Sequence, residues 1–241
     1  MDSLCYVADR IVSVHPSTTG ARVNPFKSAA ACLLVVVICG CDHWPPADFK
    51  ATIKAAARGD AVAQYKLGAM YDTGEGVPQD HAEALKCYRL AADQGLAVAQ
   101  SNLGTMYALG EGGPQDYPEA VKWYRLAADQ GLADAQSNLG AMYYHGHGVP
   151  QDYAEAMKWY RLAADQGFAE AQHNLGAMYA LGEGVPQDSI EAYAWWFIAA
   201  VGGDADAANN QDLTASELTP DQLSQGQKRA TELLKKIDSG K

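Results

Sequence analysis

The second of four similar stretches opens Ala97-Val98-Ala99-Gln100-Ser101-Asn102-Leu103-Gly104-Thr105-Met106-Tyr107. It continues through Gly110-Glu111-Gly112-Gly113-Pro114-Gln115-Asp116 and closes on Glu119 to Gly131. Ala99, Leu103, Met106 and Tyr107 recur at helical spacing, so the first part is an amphipathic helix, here called helix A. The glycine- and proline-rich middle cannot be crossed by a helix. Asp116, followed three residues later by Glu119, has the spacing of a capping box and opens a second helix, B. The expected buried stripe of helix B is Ala120, Trp123, Tyr124, Ala127 and Ala128, with Gly131 as a left-handed terminator.

The same unit recurs without insertion or deletion. Leu67-Gly68, Leu103-Gly104, Leu139-Gly140 and Leu175-Gly176 stand 36 residues apart, as do Tyr71, Tyr107, Tyr143 and Tyr179. The cap pairs Asp80/Glu83, Asp116/Glu119, Asp152/Glu155 and Asp188/Glu191 keep the step. Such periodicity predicts an all-α fold, an α-solenoid of four 36-residue helix-turn-helix repeats stacked in one register. The glycine inside each helix A costs about 1 kcal/mol against alanine. Its return in every copy predicts close approach of a partner helix.

The motifs A-x-A-x-x-x-L-G-x-M-Y, G-x-G-[VG]-P-Q-D and E-A-x-K-[CW]-Y-R-L-A-A-D-Q-G resemble the Sel-1-like repeat family, kin of the tetratricopeptide repeats. The resemblance runs from Ala61 to Gly203, and only the fourth helix B drifts, to Trp195-Trp196-Phe197-Ile198. It implies helix A lining a concave face. The solenoid with an N-terminal half-repeat is expected over 49–203. Phe49 to Arg58 reads as an orphan helix B, and residues 204–241 as C-terminal capping helices. Thr219-Pro220-Asp221-Gln222 supplies an N-cap and a proline at the first helical position of the last one.

Residues 1–41 read as an export segment. Lys27 precedes the apolar run Ala29 to Ile38, which is too short to span a bilayer. Ile38-Cys39-Gly40-Cys41 resembles the lipobox of bacterial lipoproteins, which implies lipidation of Cys41. Residues 42–48 would be a tether, and Asp42 after the cysteine implies the periplasmic side of the inner membrane. The expected location is therefore the bacterial cell envelope, with membrane contact only through the lipid.

With 29 acidic against 18 basic residues, a net charge of −11, the chain lacks the basic face that nucleic acid requires. The Gly-x-Gly turns lack the strand and Gly-Lys-Ser of a phosphate loop. His145 and His147 break the repeat, but a solvated loop explains them more simply than a metal does. No metal or cofactor is expected. Some cysteine-rich relatives are linked to penicillin binding and β-lactamase activity. This chain has no Ser-x-x-Lys or Lys-Thr-Gly and lacks their paired cysteines, so a non-enzyme is expected. Of the adjacent Trp195 and Trp196, one could be exposed as a binding anchor, or both could pack against the C-terminal cap.

If the invariant positions build the core, the variable ones on helix A report a groove. They include Val62, Val98, Asp134 and Glu170; Tyr65, Ser101, Ser137 and His173; Lys66, Asn102, Asn138 and Asn174; and Asp72, Ala108, Tyr144 and Ala180. The partner-binding candidates are Lys66, Asn102, Asn138, Asn174, Asp134, Glu170, Tyr144 and His173. Asn102, Asn138 and Asn174 would form a ladder of amides toward an extended peptide, or would brace neighbouring hairpins. Related grooves bind carboxylates with lysine and asparagine; Asp134 and Glu170 would repel one, so a neutral or basic protein segment is the expected partner. The alternative is a cell-wall-associated enzyme or a peptidoglycan-binding accessory.

Overall fold

A computed structural model describes residues 47–239, whose secondary structure is eleven α-helices. The lipobox and Cys41 lie outside the described residues. Helix α1 (Ala47–Ala56) is the orphan helix and starts two residues before the expected Phe49. Four hairpins follow. Their A helices are α2 (Ala61–Thr73), α4 (Ala97–Leu109), α6 (Ala133–His145) and α8 (Ala169–Leu181). Their B helices are α3 (His81–Ala92), α5 (Tyr117–Asp129), α7 (Tyr153–Ala164) and α9 (Ser189–Val201). Each A helix packs on its own B helix and on the preceding one. Helices α10 (Ala205–Glu217) and α11 (Pro220–Ser239) both pack on α9 and close the stack.

The helix A glycine is explained by contact. A Cβ added at Gly104 would stand 2.8 Å from the Tyr124 ring, and one at Gly68 or Gly140 2.7 or 2.8 Å from Tyr88 or Tyr160. In the fourth hairpin Trp196 takes the tyrosine's place, 2.6 Å from the Cβ position of Gly176. Only a hydrogen at the α-carbon lets the ring lie on the helix backbone, and burial of the ring repays the helical cost of glycine.

The helix starts depart from the expected box. Asp80, Asp116, Asp152 and Asp188 do cap their B helices, each accepting from the N–H three residues on at 3.0–3.1 Å. The glutamates do not reach back. The aspartate N–H instead donates to the carbonyl of Tyr71, Tyr107, Tyr143 or Tyr179 at the end of helix A, at 2.8–3.0 Å. With that donor satisfied, Glu83, Glu119 and Glu155 pair with Lys86, Lys122 and Lys158. A reciprocal box forms at α11, where Gln222 Oε1 accepts from the Thr219 N–H at 3.0 Å and Thr219 Oγ1 from the Gln222 N–H at 3.4 Å. The other turn residues are equally architectural. Gln79, Gln115, Gln151 and Gln187 donate to carbonyls in the last turn of helix A at 2.7–2.8 Å.

Repeats are joined by a buried glutamine ladder. Gln64, Gln100, Gln136 and Gln172 donate to Ala56, Ala92, Ala128 and Ala164 carbonyls of the preceding helix at 3.1–3.2 Å. Gln64, Gln100 and Gln136 accept in turn from Gln94, Gln130 and Gln166 at 2.6–2.8 Å. Each bridging amide thus satisfies the open end of one B helix and grips the next, and a buried amide left without its partner costs about 1–3 kcal/mol. Gly202 stands where the fourth ladder glutamine would be. α11 covers the neighbouring end of α7, with Lys236 on Asp165 at 2.6 Å and Ile237 against Gly167, and at the opposite end of α9 Arg229 pairs with Glu191.

Trp195 and Trp196 are both buried, 0% and 7% exposed, so neither is a surface anchor. Trp196 occupies the tyrosine slot and donates to the His173 carbonyl at 3.2 Å, while Trp195 packs with Leu233 and Ile237 of α11 beneath the Arg161 guanidinium. Adjacent rings point to two sides because α9 is packed between α8 on one side and the closing helices on the other.

Replacing Gly104 by alanine should destabilise the chain by about 1–2 kcal/mol in urea unfolding, because overpacking against Tyr124 outweighs the propensity gain. A stabilised Gly104→Ala variant would contradict the contact. Asp204 caps α10 and pairs with His173 Nδ1 at 3.2 Å. Burial opposes its ionisation, but the Ala207 N–H, His173 and the Asp206 N–H together hold its carboxyl below its ordinary value of 3.8. Its contribution is therefore complete above pH 3.8 and lost as pH falls through the lower folded value. The melting temperature of wild type should drop more steeply in that acid window than that of Asp204→Asn, which keeps a cap but does not titrate.

Candidate functional site

The solvent face of each A helix is set by what the other faces bury. With Ala99, Leu103 and Met106 turned to the core, the second, sixth and thirteenth positions look outward. These positions carry Val62, Lys66 and Thr73; Val98, Asn102 and Leu109; Asp134, Asn138 and His145; Glu170, Asn174 and Leu181. The asparagines are half-buried at the centre of this face. Asn210 of α10 keeps the same 36-residue step and extends the series by one. The sequence reading stopped at Asn174 because α10 lacks the Leu-Gly core, although the step itself could have found Asn210.

The face has a graded character. Its first two repeats expose Val62 and Val98, 50% and 37% accessible, with Lys66 beside them. Its later positions are Asp134, Glu170 and Asp206, all exposed. Leu109 and Leu181 stand exposed at the C-terminal ends of their helices, and Leu213 is exposed on α10.

The expected groove residues divide in the structure. Ser101 and Ser137 are buried, not groove-lining, because the fifth position of helix A turns toward the A helix of the next repeat. Ser101 Oγ donates to Asp134 Oδ2 at 2.6 Å, and His173 makes the equivalent reach to Asp204. Asn138 donates to the same Asp134 oxygen at 3.5 Å, and Asn102 lies close to the Tyr88 hydroxyl. Bracing and display therefore coexist in the asparagine series. Lys66 and Glu170 are exposed. Tyr144 sits elsewhere, at the loop edge, where its hydroxyl donates to Glu183 at 2.7 Å. That bond and burial push its phenol up to about 12.

At the loop edge the A–B turns of the second, third and fourth hairpins lie on the start of the preceding helix B. A Cβ at Gly112 would be 2.2 Å from the His81 carbonyl oxygen, so only glycine permits this docking. The contact brings residues 72, 81 and 111 together at the first junction, and their counterparts at the next two. The first holds Asp72, His81 and Glu111, with His81 Nδ1 2.9 Å from Asp72 Oδ1. The second holds Ala108, Tyr117 and His147, the two rings stacked at 4.5 Å. The third holds Tyr144, Tyr153 and Glu183. His145 stacks on His147 at 5.4 Å, and among the described residues this pair joins no third metal-ligating side chain. Cys87 is buried and its thiol is pushed up to about 12 by burial, which makes it a poor nucleophile. The 460 Å³ depression lined by Asn209, Asp212, Leu213 and Ser216 pairs no base with its serine.

Among the described residues no helix is long and apolar enough to cross a membrane. The family model of the Sel1 repeat matches four consecutive segments, 61–96, 97–132, 133–168 and 169–204. Two solved structures share fold and sequence. One is c5321, a protective antigen present in uropathogenic Escherichia coli strains and displaying an SLR fold. It is 33% identical, with a TM-score of 0.76 over 89% of this chain and 46% of its own. The present chain thus spans about half of that protein's length. The other is a Sel1 repeat protein from Oxalobacter formigenes, 31% identical with a TM-score of 0.68 over 86% of this chain and 85% of its own. No curated protein matches the chain. Four tandem matches in one register, on hairpins closed by the same glycine and glutamine contacts, place this chain in the Sel1 repeat family.

Proposed function

We propose that this protein is a non-catalytic adaptor of the bacterial cell envelope that binds an extended segment of another protein along the outward face of its A helices. Sel1 repeat proteins generally serve as protein-interaction scaffolds. The observation that carries the reading is the half-buried asparagine series Asn102, Asn138 and Asn174 on the A helices of the second, third and fourth repeats, continued by Asn210 of α10. A primary amide both donates and accepts, so a regular row of them suits the alternating N–H and C=O groups of an extended backbone. The grade of the face sets the partner's chemistry. Apolar side chains fit beside Val62 and Val98, and a neutral or basic portion fits beside Asp134, Glu170 and Asp206.

The envelope location rests on the segment before the repeats, where the apolar run and Ile38-Cys39-Gly40-Cys41 support export and lipidation of Cys41 on the periplasmic side of the inner membrane. A lipid anchor at Cys41 would hold the solenoid at the membrane.

Crosslinking capture from the native host should retain a specific protein with wild type and lose it, by at least tenfold, with the triple variant Asn102→Ala, Asn138→Ala, Asn174→Ala. About 1 kcal/mol per lost amide contact is enough for that difference. An identical retained set would move the binding surface off the A helices. Radiolabelled palmitate should label wild type expressed in a bacterial host and not Cys41→Ala; equal labelling of both would remove the proposed anchor.

A further inference from the structure

Each junction slot is the same place in three copies, so residues that differ there are not dictated by the solenoid. Position 72 is Asp where the later repeats carry Ala, Tyr and Ala, and position 81 is His where they carry Tyr, Tyr and Ser. Both departures fall in the first repeat and meet at one point, under Glu111 of the second. We propose that Asp72, His81 and Glu111 bind one divalent first-row transition ion, with Zn²⁺ the best match, and so clasp the first repeat to the second.

The geometry fits. One ligand atom from each residue lies within 4.8 Å of the other two. Two tetrahedral ligands held about 2.0–2.1 Å from a zinc ion stand about 3.3–3.4 Å apart, so His81 Nδ1 and Asp72 Oδ1, hydrogen-bonded at 2.9 Å, need part by only about half an ångström to admit it. The three residues come from rigid positions. Asp72 is in the last turn of α2, His81 in the first of α3, and the Glu111 N–H is fixed on the Met106 carbonyl at 2.9 Å. Gly112 presses this loop onto the His81 backbone, which leaves Glu111 little freedom.

An outer shell is also present. The Tyr88 hydroxyl donates to Asp72 Oδ2 at 3.3 Å, leaving Oδ1 toward His81. Ligating carboxylates are commonly held by such second partners. One imidazole with two carboxylates favours a transition ion over Ca²⁺ or Mg²⁺, which take oxygen donors alone. Half-burial of all three leaves the remaining coordination positions to water. The expectation of no metal from the sequence missed this site because its ligands are separated by a turn and by a whole helix. The departures at 72 and 81 were the available signal.

The test is titration of the metal-stripped full chain, its accessible thiols alkylated under native conditions so that buried Cys87 is left intact, with ZnCl₂ against a chromophoric chelator. His81→Tyr and Asp72→Ala install the second repeat's own residues, so the hairpin is kept, and Glu111→Gln alters only the loop. Wild type should bind one equivalent that each variant weakens at least tenfold, with the helical circular dichroism spectrum retained in the absence of zinc. The double variant His145→Leu, His147→Glu should bind as wild type does. Equal zinc affinity in wild type and His81→Tyr, or loss of the equivalent only in the His145/His147 variant, would overturn the proposal.

Discussion

Within each hairpin an aromatic ring lies directly on the backbone of helix A, and most of the solenoid depends on that contact. Tyr88, Tyr124, Tyr160 and Trp196 face Gly68, Gly104, Gly140 and Gly176 at distances a Cβ would not allow. The approach fixes the rotation of helix A about its axis. Rotation then decides which residues enter the core, which meet the neighbouring repeat and which face water. A helix that gives up propensity at its centre to gain this fit is stable only as part of the packed array.

Polar groups carry that arrangement from one repeat to the next. A solenoid repeat leaves open helix ends at every junction, and unpaired backbone groups there would be costly. The bridging glutamines close the B-helix ends, and the aspartates and turn glutamines close the hairpins. Arg89 over Tyr107 and Arg125 over Tyr143 add contacts from α3 and α5 to the A helices that follow them. Because the motif residues are consumed by these duties, the positions left to vary are where this chain can differ from others of its architecture. The outward A-helix face and the loop-edge junctions are two such places, and they differ in chemistry: one long, graded and amide-lined, the other local and rich in imidazole, phenol and carboxylate.

The sequence by itself determined the fold class, the repeat boundaries and the core, because stacking identical units forces the same burial at the same step. Leu103, Leu139 and Leu175 are wholly buried for that reason, and the need for glycine at Gly104 could be read before the ring above it was seen. What only tertiary structure decided is the use of each polar side chain. Ser101 and Ser137 vary like groove residues but are buried between A helices, and the cap glutamates pair with lysines because a tyrosine carbonyl already holds the aspartate N–H. The joining of Asp72 and His81 to Glu111 spans two repeats and a turn. Periodicity reports which face a residue occupies along one helix; it carries no information on which neighbour completes a hydrogen bond across two, and that is set by the packing distance between them.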